Sequence, residues 1–140
     1  MATQKLYNEL RDANRYFIMH NTNADTSDGW KLSIQGKTVK DSMYLYDNLK
    51  DLLSATKFPF KIGTLKLIDL KSEQSTKLMT IYIPNGIDVK FFAELVYRQI
   101  EDYKGWYDIN KKEGYEHYAG GVFFRNDRDI NGEYIPAKQA

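Results

Sequence analysis

The six residues Leu78-Met79-Thr80-Ile81-Tyr82-Ile83 constrain the fold more than any other stretch of this chain. They are dense in apolar, β-branched and aromatic side chains, and Pro84-Asn85-Gly86 turns the chain directly after them, so they read as the clearest strand in the sequence. A strand must find a sheet to satisfy its backbone and another layer to cover its apolar face. Trp30-Lys31-Leu32-Ser33-Ile34 supplies a second strand with strict period-two alternation. Trp30, Leu32 and Ile34 share one face, and Lys31 and Ser33 share the other. Phe58-Pro59-Phe60-Lys61-Ile62 reads as a third, with Lys61 opposite to Phe60 and Ile62. A fourth is expected across Tyr115 to Phe124.

Between these strands the apolar period changes to that of a helix. Residues 5–17 place Leu6, Leu10 and Phe17 near one helical stripe, with Tyr7 and Tyr16 beside it. A polar loop then runs from Asn21 to Gly29, and His20 in front of it can cap the first helix. Gly36 ends the second segment, and Thr38 with Asp41 forms a capping box for a helix from 39 to about 54. Val39, Met43, Tyr46, Leu49 and Leu53 make its apolar stripe. Lys71 to Thr76 reads as an exposed loop. Asp88 caps another helix, in which Val89, Phe92, Val96 and Ile100 recur, and Gly105 is placed to stop it. The order is an N-terminal helix followed by two β-α-β units. The expected fold is α+β, a mixed or antiparallel sheet with helices packed on one face, and any parallel crossover right-handed. A chain of 140 residues makes one domain, with its core at about 5–124 and a polar tail at 125–140 that turns at Asp129-Ile130-Asn131-Gly132.

Composition removes several function classes. An apolar fraction of 42% with 14% aromatic residues excludes a disordered chain. No apolar run approaches the ~20 residues of a membrane helix, and the start, Met1-Ala2-Thr3-Gln4-Lys5, is polar, so a cytoplasmic protein is expected. There is no cysteine, and His20 and His117 are the two imidazoles, so neither a disulfide nor a metal site is expected, and no cofactor is called for. Charge balances at 20 basic against 19 acidic side chains, which fits neither a duplex-DNA binder nor an acidic DNA mimic. Gly120-Gly121-Val122-Phe123-Phe124 is loosely similar to the aromatic strand of an RNA-recognition module. Its spacing differs from that module, so nucleic acid is not an expected partner. The carboxylate pairs Glu101-Asp102 and Asp127-Asp129 read as solvated charges.

A set of short motifs in a fixed order points further. Gly29-Trp30-Lys31-Leu32-Ser33 is followed by Pro59-Phe60-Lys61 and by Ser75-Thr76-Lys77-Leu78-Met79-Thr80-Ile81-Tyr82. Then come Gly105-Trp106-Tyr107, Tyr115-Glu116-His117-Tyr118 and Asn131-Gly132-Glu133-Tyr134-Ile135-Pro136-Ala137. This series resembles the N-terminal phosphoserine/phosphothreonine lyase domain of class III lanthionine synthetases, which is distantly similar to the phosphothreonine lyases among bacterial effectors. The resemblance spans most of residues 6–137.

It implies a metal-free β-elimination, in which a phosphorylated Ser or Thr of a peptide loses phosphate and becomes a dehydro residue. That chemistry needs a base at the Cα proton, a cation at the neighbouring carbonyl and cations around the leaving phosphate. By the resemblance, Lys31 is the base, Lys61 holds the carbonyl or the phosphate, and Lys77 and Tyr82 bind phosphate or substrate; Arg125, just past the last strand, is placed to clamp phosphate. The related motif Trp-Lys-x-His carries the acid, and here Ser33 stands at that position. The related motif Tyr-x-Arg-Tyr carries a phosphate-binding arginine, and here His117 stands there and can supply the missing acid. The expected partner is a peptide or protein segment, phosphorylated or otherwise anionic. Two other classes stay open: a non-catalytic interaction module, such as a small inhibitor or adaptor that reuses the fold, and a weak RNA binder.

Overall fold

A computed structural model of the chain describes residues 2–71, 76–103, 114–128 and 131–133, the first two by their backbone alone. Ser75, Gly105, Trp106-Tyr107 and the motif at 134–137 lie outside the described residues. Among the described residues six strands form one sheet, covered by helices. In chain order the elements are α1 (Ala2–Asp12), β1 (Phe17–His20), β2 (Trp30–Gln35), α2 (Val39–Thr56), β3 (Phe60–Gly63), α3 (Leu65–Asp69), β4 (Lys77–Tyr82), α4 (Val89–Ile100), β5 (Glu116–Ala119) and β6 (Val122–Asn126). The sheet order is β1-β3-β4-β2-β6-β5, and every neighbouring pair is antiparallel. Since β4 lies between β2 and β3 and opposes both, β2 and β3 run the same way, joined by α2 as a split β-α-β unit. The architecture is α+β, as the periodicities predict. Among the described residues no helix is long and apolar enough to cross a membrane.

Local chemistry sets the helix boundaries. Thr38 Oγ1 accepts from the Asp41 amide at 3.1 Å while Asp41 Oδ2 accepts from the Thr38 amide at 3.1 Å, so the capping box forms in full. At the other end Lys57 enters the left-handed region at φ 57 and its amide returns to Leu53 O. Asp88 Oδ1 accepts from the amides of Lys90 and Phe91 to start α4. Leu45, Leu49 and Leu53 of α2 and Phe92, Ala93, Val96 and Ile100 of α4 are buried with Leu32, Ile34, Met79, Ile81, Val122 and Phe124 of the sheet. The buried line of α2 is turned from the expected stripe: Val39, Met43 and Tyr46 are partly buried at its border. Ser42 takes a sheet-facing place instead, its Oγ donating to Gly63 O at 3.2 Å.

Several elements differ from the sequence reading, each through long-range pairing. The first helix stops at Asp12 rather than reaching Phe17, because residues 17–20 pair with β3 as an edge strand. His20 therefore ends a strand rather than capping a helix, and its ring stacks on Phe60 at 4.8 Å. The segment from Tyr115 to Phe124 is a hairpin, turned where Gly120 takes φ +52. Arg125 belongs to β6 instead of opening a tail. The short helix α3, capped by Thr64 Oγ1 on the Leu67 amide, had no sequence signal.

Deleting a sheet-facing side chain of α2 tests this packing. Leu49→Ala should lower unfolding free energy by about 2–5 kcal/mol, and Thr38→Ala at the cap by about 1 kcal/mol, both read from urea denaturation.

Candidate anion-binding site

Period-two alternation makes the sheet a partition. Leu32 and Ile34 face the helices, so Lys31, Ser33 and Gln35 face the other way. Cross-strand register then decides what joins them. Tyr82 and Arg125 are the partners of Lys31 on either side. Across the middle of the sheet run Met19, Lys61, Thr80, Ser33, Phe123 and His117, each opposite the next. An irregularity between Ile34 and Gln35 lets Lys77 pair with Gln35. One face thus carries Lys31, Lys61, Lys77 and Arg125.

Three of these cations share one aromatic ring. Lys31 Nζ, Lys77 Nζ and Arg125 Cζ lie 5.9, 5.5 and 5.5 Å from the centre of the Tyr115 ring. That ring is itself 5% exposed. Asp127, just beyond β6, supplies the opposing charge. Its Oδ1 is 3.1 Å from Lys31 Nζ and 3.0 Å from Arg125 Nε. Ring and carboxylate together let like charges gather in a place poor in water.

Lys61 stands apart from this group. Its Nζ lies 4.1 Å from the centre of the Phe17 ring, and it has no carboxylate within ion-pair distance among the described residues. Burial pulls its pKa below the ordinary lysine value, and the positive charge of Lys31 pulls the same way against a smaller opposing pull from Asp127. Lys61 is therefore more readily neutral than an ordinary lysine, and a neutral amine is a base.

The remaining expected residues are placed less favourably. Ser33 is wholly buried and its Oγ accepts from Gln35 Nε2 at 3.2 Å. His117 shares the face but lies on edge strand β5, exposed, with Phe123 of β6 between it and Ser33. Two strand spacings separate the two positions, roughly 10 Å. Its Nε2 is 2.7 Å from Gly120 O, so the imidazole closes its own hairpin. The structure joins Lys31, Lys77 and Arg125 in one cluster, sets Tyr82 and Lys61 beside it, and leaves His117 outside.

Two residues were missed from sequence. Asp127, read there as a solvated turn charge, is the counter-charge of two cations, and Tyr115 is the ring they share. Only the β2–β6 register brings them together, and nothing local signals it. Among the described residues no group of three or more His, Asp or Glu is placed to hold a metal ion.

No protein-family model matches the sequence, and no curated protein matches it. Among solved structures the fold is similar to that of SpvC, a phosphothreonine lyase and effector protein from Salmonella, with a TM-score of 0.59 and 14% sequence identity. The match covers 81% of this chain and 64% of the SpvC chain. At that identity the likeness is one of fold, and the chain adopts a fold distantly like that of a phosphothreonine lyase.

Proposed function

We propose that the cationic face binds a phosphorylated serine or threonine within a peptide segment and eliminates its phosphate without a metal, as a divergent relative of the lyase domain of class III lanthionine synthetases. The observation that carries this reading is the pairing, on one sheet face, of a three-cation cluster with a lysine whose proton affinity is lowered. Cations alone would suit any anion. A neutral amine beside them suits the removal of a proton next to a leaving phosphate.

The roles follow from placement. Lys61, rather than Lys31, takes the Cα proton, because Lys31 is engaged with Asp127. The electron pair of that C–H bond forms the Cα=Cβ double bond, and the Cβ–O bond breaks with its pair leaving on phosphate. Tyr82, the Cα partner of Lys31 on the strand next to Lys61, holds the carbonyl oxygen as it becomes enolate-like. Lys31, Lys77 and Arg125 neutralise the departing phosphate, which then takes a proton from water. Electrostatic stabilisation thus does the work that an imidazolium acid does in the related motif, where Ser33 now stands.

Incubation with phosphoserine and phosphothreonine peptides, followed by mass spectrometry, should show loss of the elements of phosphoric acid. Lys61→Met should abolish that loss, Lys31→Ala should slow it by about a hundredfold as expected for removing one stabilising charge, and His117→Gln should leave it nearly unchanged. No loss at high protein concentration would remove the lyase reading.

The same lysine makes a stability prediction of opposite sign. With its folded pKa lowered, the unfolded chain binds more protons between that value and about 10.4, so wild-type stability rises as pH climbs through this interval. Lys61→Met should unfold at a higher temperature than wild type at neutral pH and lack the rise, as thermal melts from pH 7 to 10 would read.

A further inference from the structure

Asp127 has no part in the elimination as written, yet it touches two of the groups that would hold the phosphate. We propose that the Asp127 carboxylate is the resident occupant of the phosphate seat, holding Lys31 and Arg125 in the unliganded protein, yielding them to an incoming phosphate and reclaiming them as phosphate leaves. The inference rests on the reading of this face given above.

The contact has the form of a placeholder. A single oxygen, Oδ1, lies within ion-pair distance of both Lys31 Nζ and Arg125 Nε, at 3.1 and 3.0 Å, without hydrogen-bond geometry to either, a contact an incoming anion can displace. Both cationic side chains are well covered, 14% and 5% exposed, so in an empty seat their repulsion would be poorly screened. The carboxylate carries one charge, whereas a phosphomonoester brings close to two and three strong acceptor oxygens. It therefore loses the competition when phosphate is present and wins it when phosphate is dilute.

The backbone behind Asp127 is built to keep that carboxylate within a side-chain rotation of the seat. The Asp127 amide donates to Gly29 O at 2.8 Å. On one side Asn126 Nδ2 donates to Asp28 O at 3.0 Å, and on the other Arg128 Nε donates to Ser27 O at 2.7 Å. Gly29 itself has φ +90, and a Cβ there would fall 2.8 Å from Asn126 Oδ1. The loop before β2 thus clasps the segment after β6, so the carboxylate can swing aside without leaving.

A positioning role alone predicts the reverse effect on affinity, and that decides the test. Inorganic phosphate is titrated into wild type, Asp127→Asn and Asp127→Glu by calorimetry, with folding checked by circular dichroism. Asp127→Asn should bind phosphate at least tenfold more tightly, and Asp127→Glu should stay close to wild type. On a phosphothreonine peptide Asp127→Asn should lower KM and also kcat, with stronger inhibition by added phosphate. In the wild-type protein the carboxylate 13C resonance of Asp127 should move on phosphate saturation, a readout that holds even if a variant fails to fold. Unchanged or weaker phosphate binding by folded Asp127→Asn, or an unmoved Asp127 resonance, would overturn the proposal while leaving elimination by wild type intact. Absence of phosphate binding by every form, with no elimination, would overturn the function reading and this inference together.

Discussion

Charge concentrated on a covered sheet face is the constraint around which this molecule is arranged. Lys31, Lys77 and Arg125 share the ring of Tyr115, and Asp127 Oδ1 ties the first and last of them together. Such a cluster is costly to keep away from water unless its members are paired or set against a π face. Both devices are present. On the proposed reading, an anionic ligand relieves the cost that remains, which makes this face the first place to test for function.

The same alternation that builds the core builds this face. Every residue of β2 that points at the helices, Leu32 and Ile34 above all, is separated by one position from a residue that points at the cations. A slip of one residue in the β2–β4 register would exchange the two sets and destroy both. Core packing by α2 and α4 therefore holds the relative positions of Lys31, Lys61 and Arg125 even though neither helix lies on their side of the sheet. The rigid elements carry the site, and the clasped loops at the ends of β2 and β6 carry its counter-charge.

Much of this was legible in the residues themselves. The alternation from Trp30 to Ile34, the capping box at Thr38 and Asp41, and the cap at Asp88 are local signals, and local structure followed them. Lys31 and Lys61 were separable from the core by parity alone. What could not be read depends on pairings distant in sequence. Phe17 to His20 looks like a helix end until β3 lies beside it, and Asp127 looks like a solvated turn charge until β6 lies beside β2. The lowered proton affinity of Lys61 is of the same kind. It comes from burial and from Lys31, a neighbour 30 positions earlier in the chain. Position 117 is the converse case: a histidine between tyrosines on an edge strand has a partner within its own hairpin, Gly120 O.

The central claim is that one lysine on this face is set apart as a base by its surroundings. The most direct measurement is a pH titration of the lysine side chains by NMR, using 13C-labelled lysine and Lys61→Met to assign the signal. Lys61 should titrate below the ordinary lysine value of about 10.4, and its midpoint should rise when phosphate fills the cluster and offsets the charge of Lys31. A Lys61 signal that titrates near the ordinary value of about 10.4, unmoved by phosphate, would contradict the account.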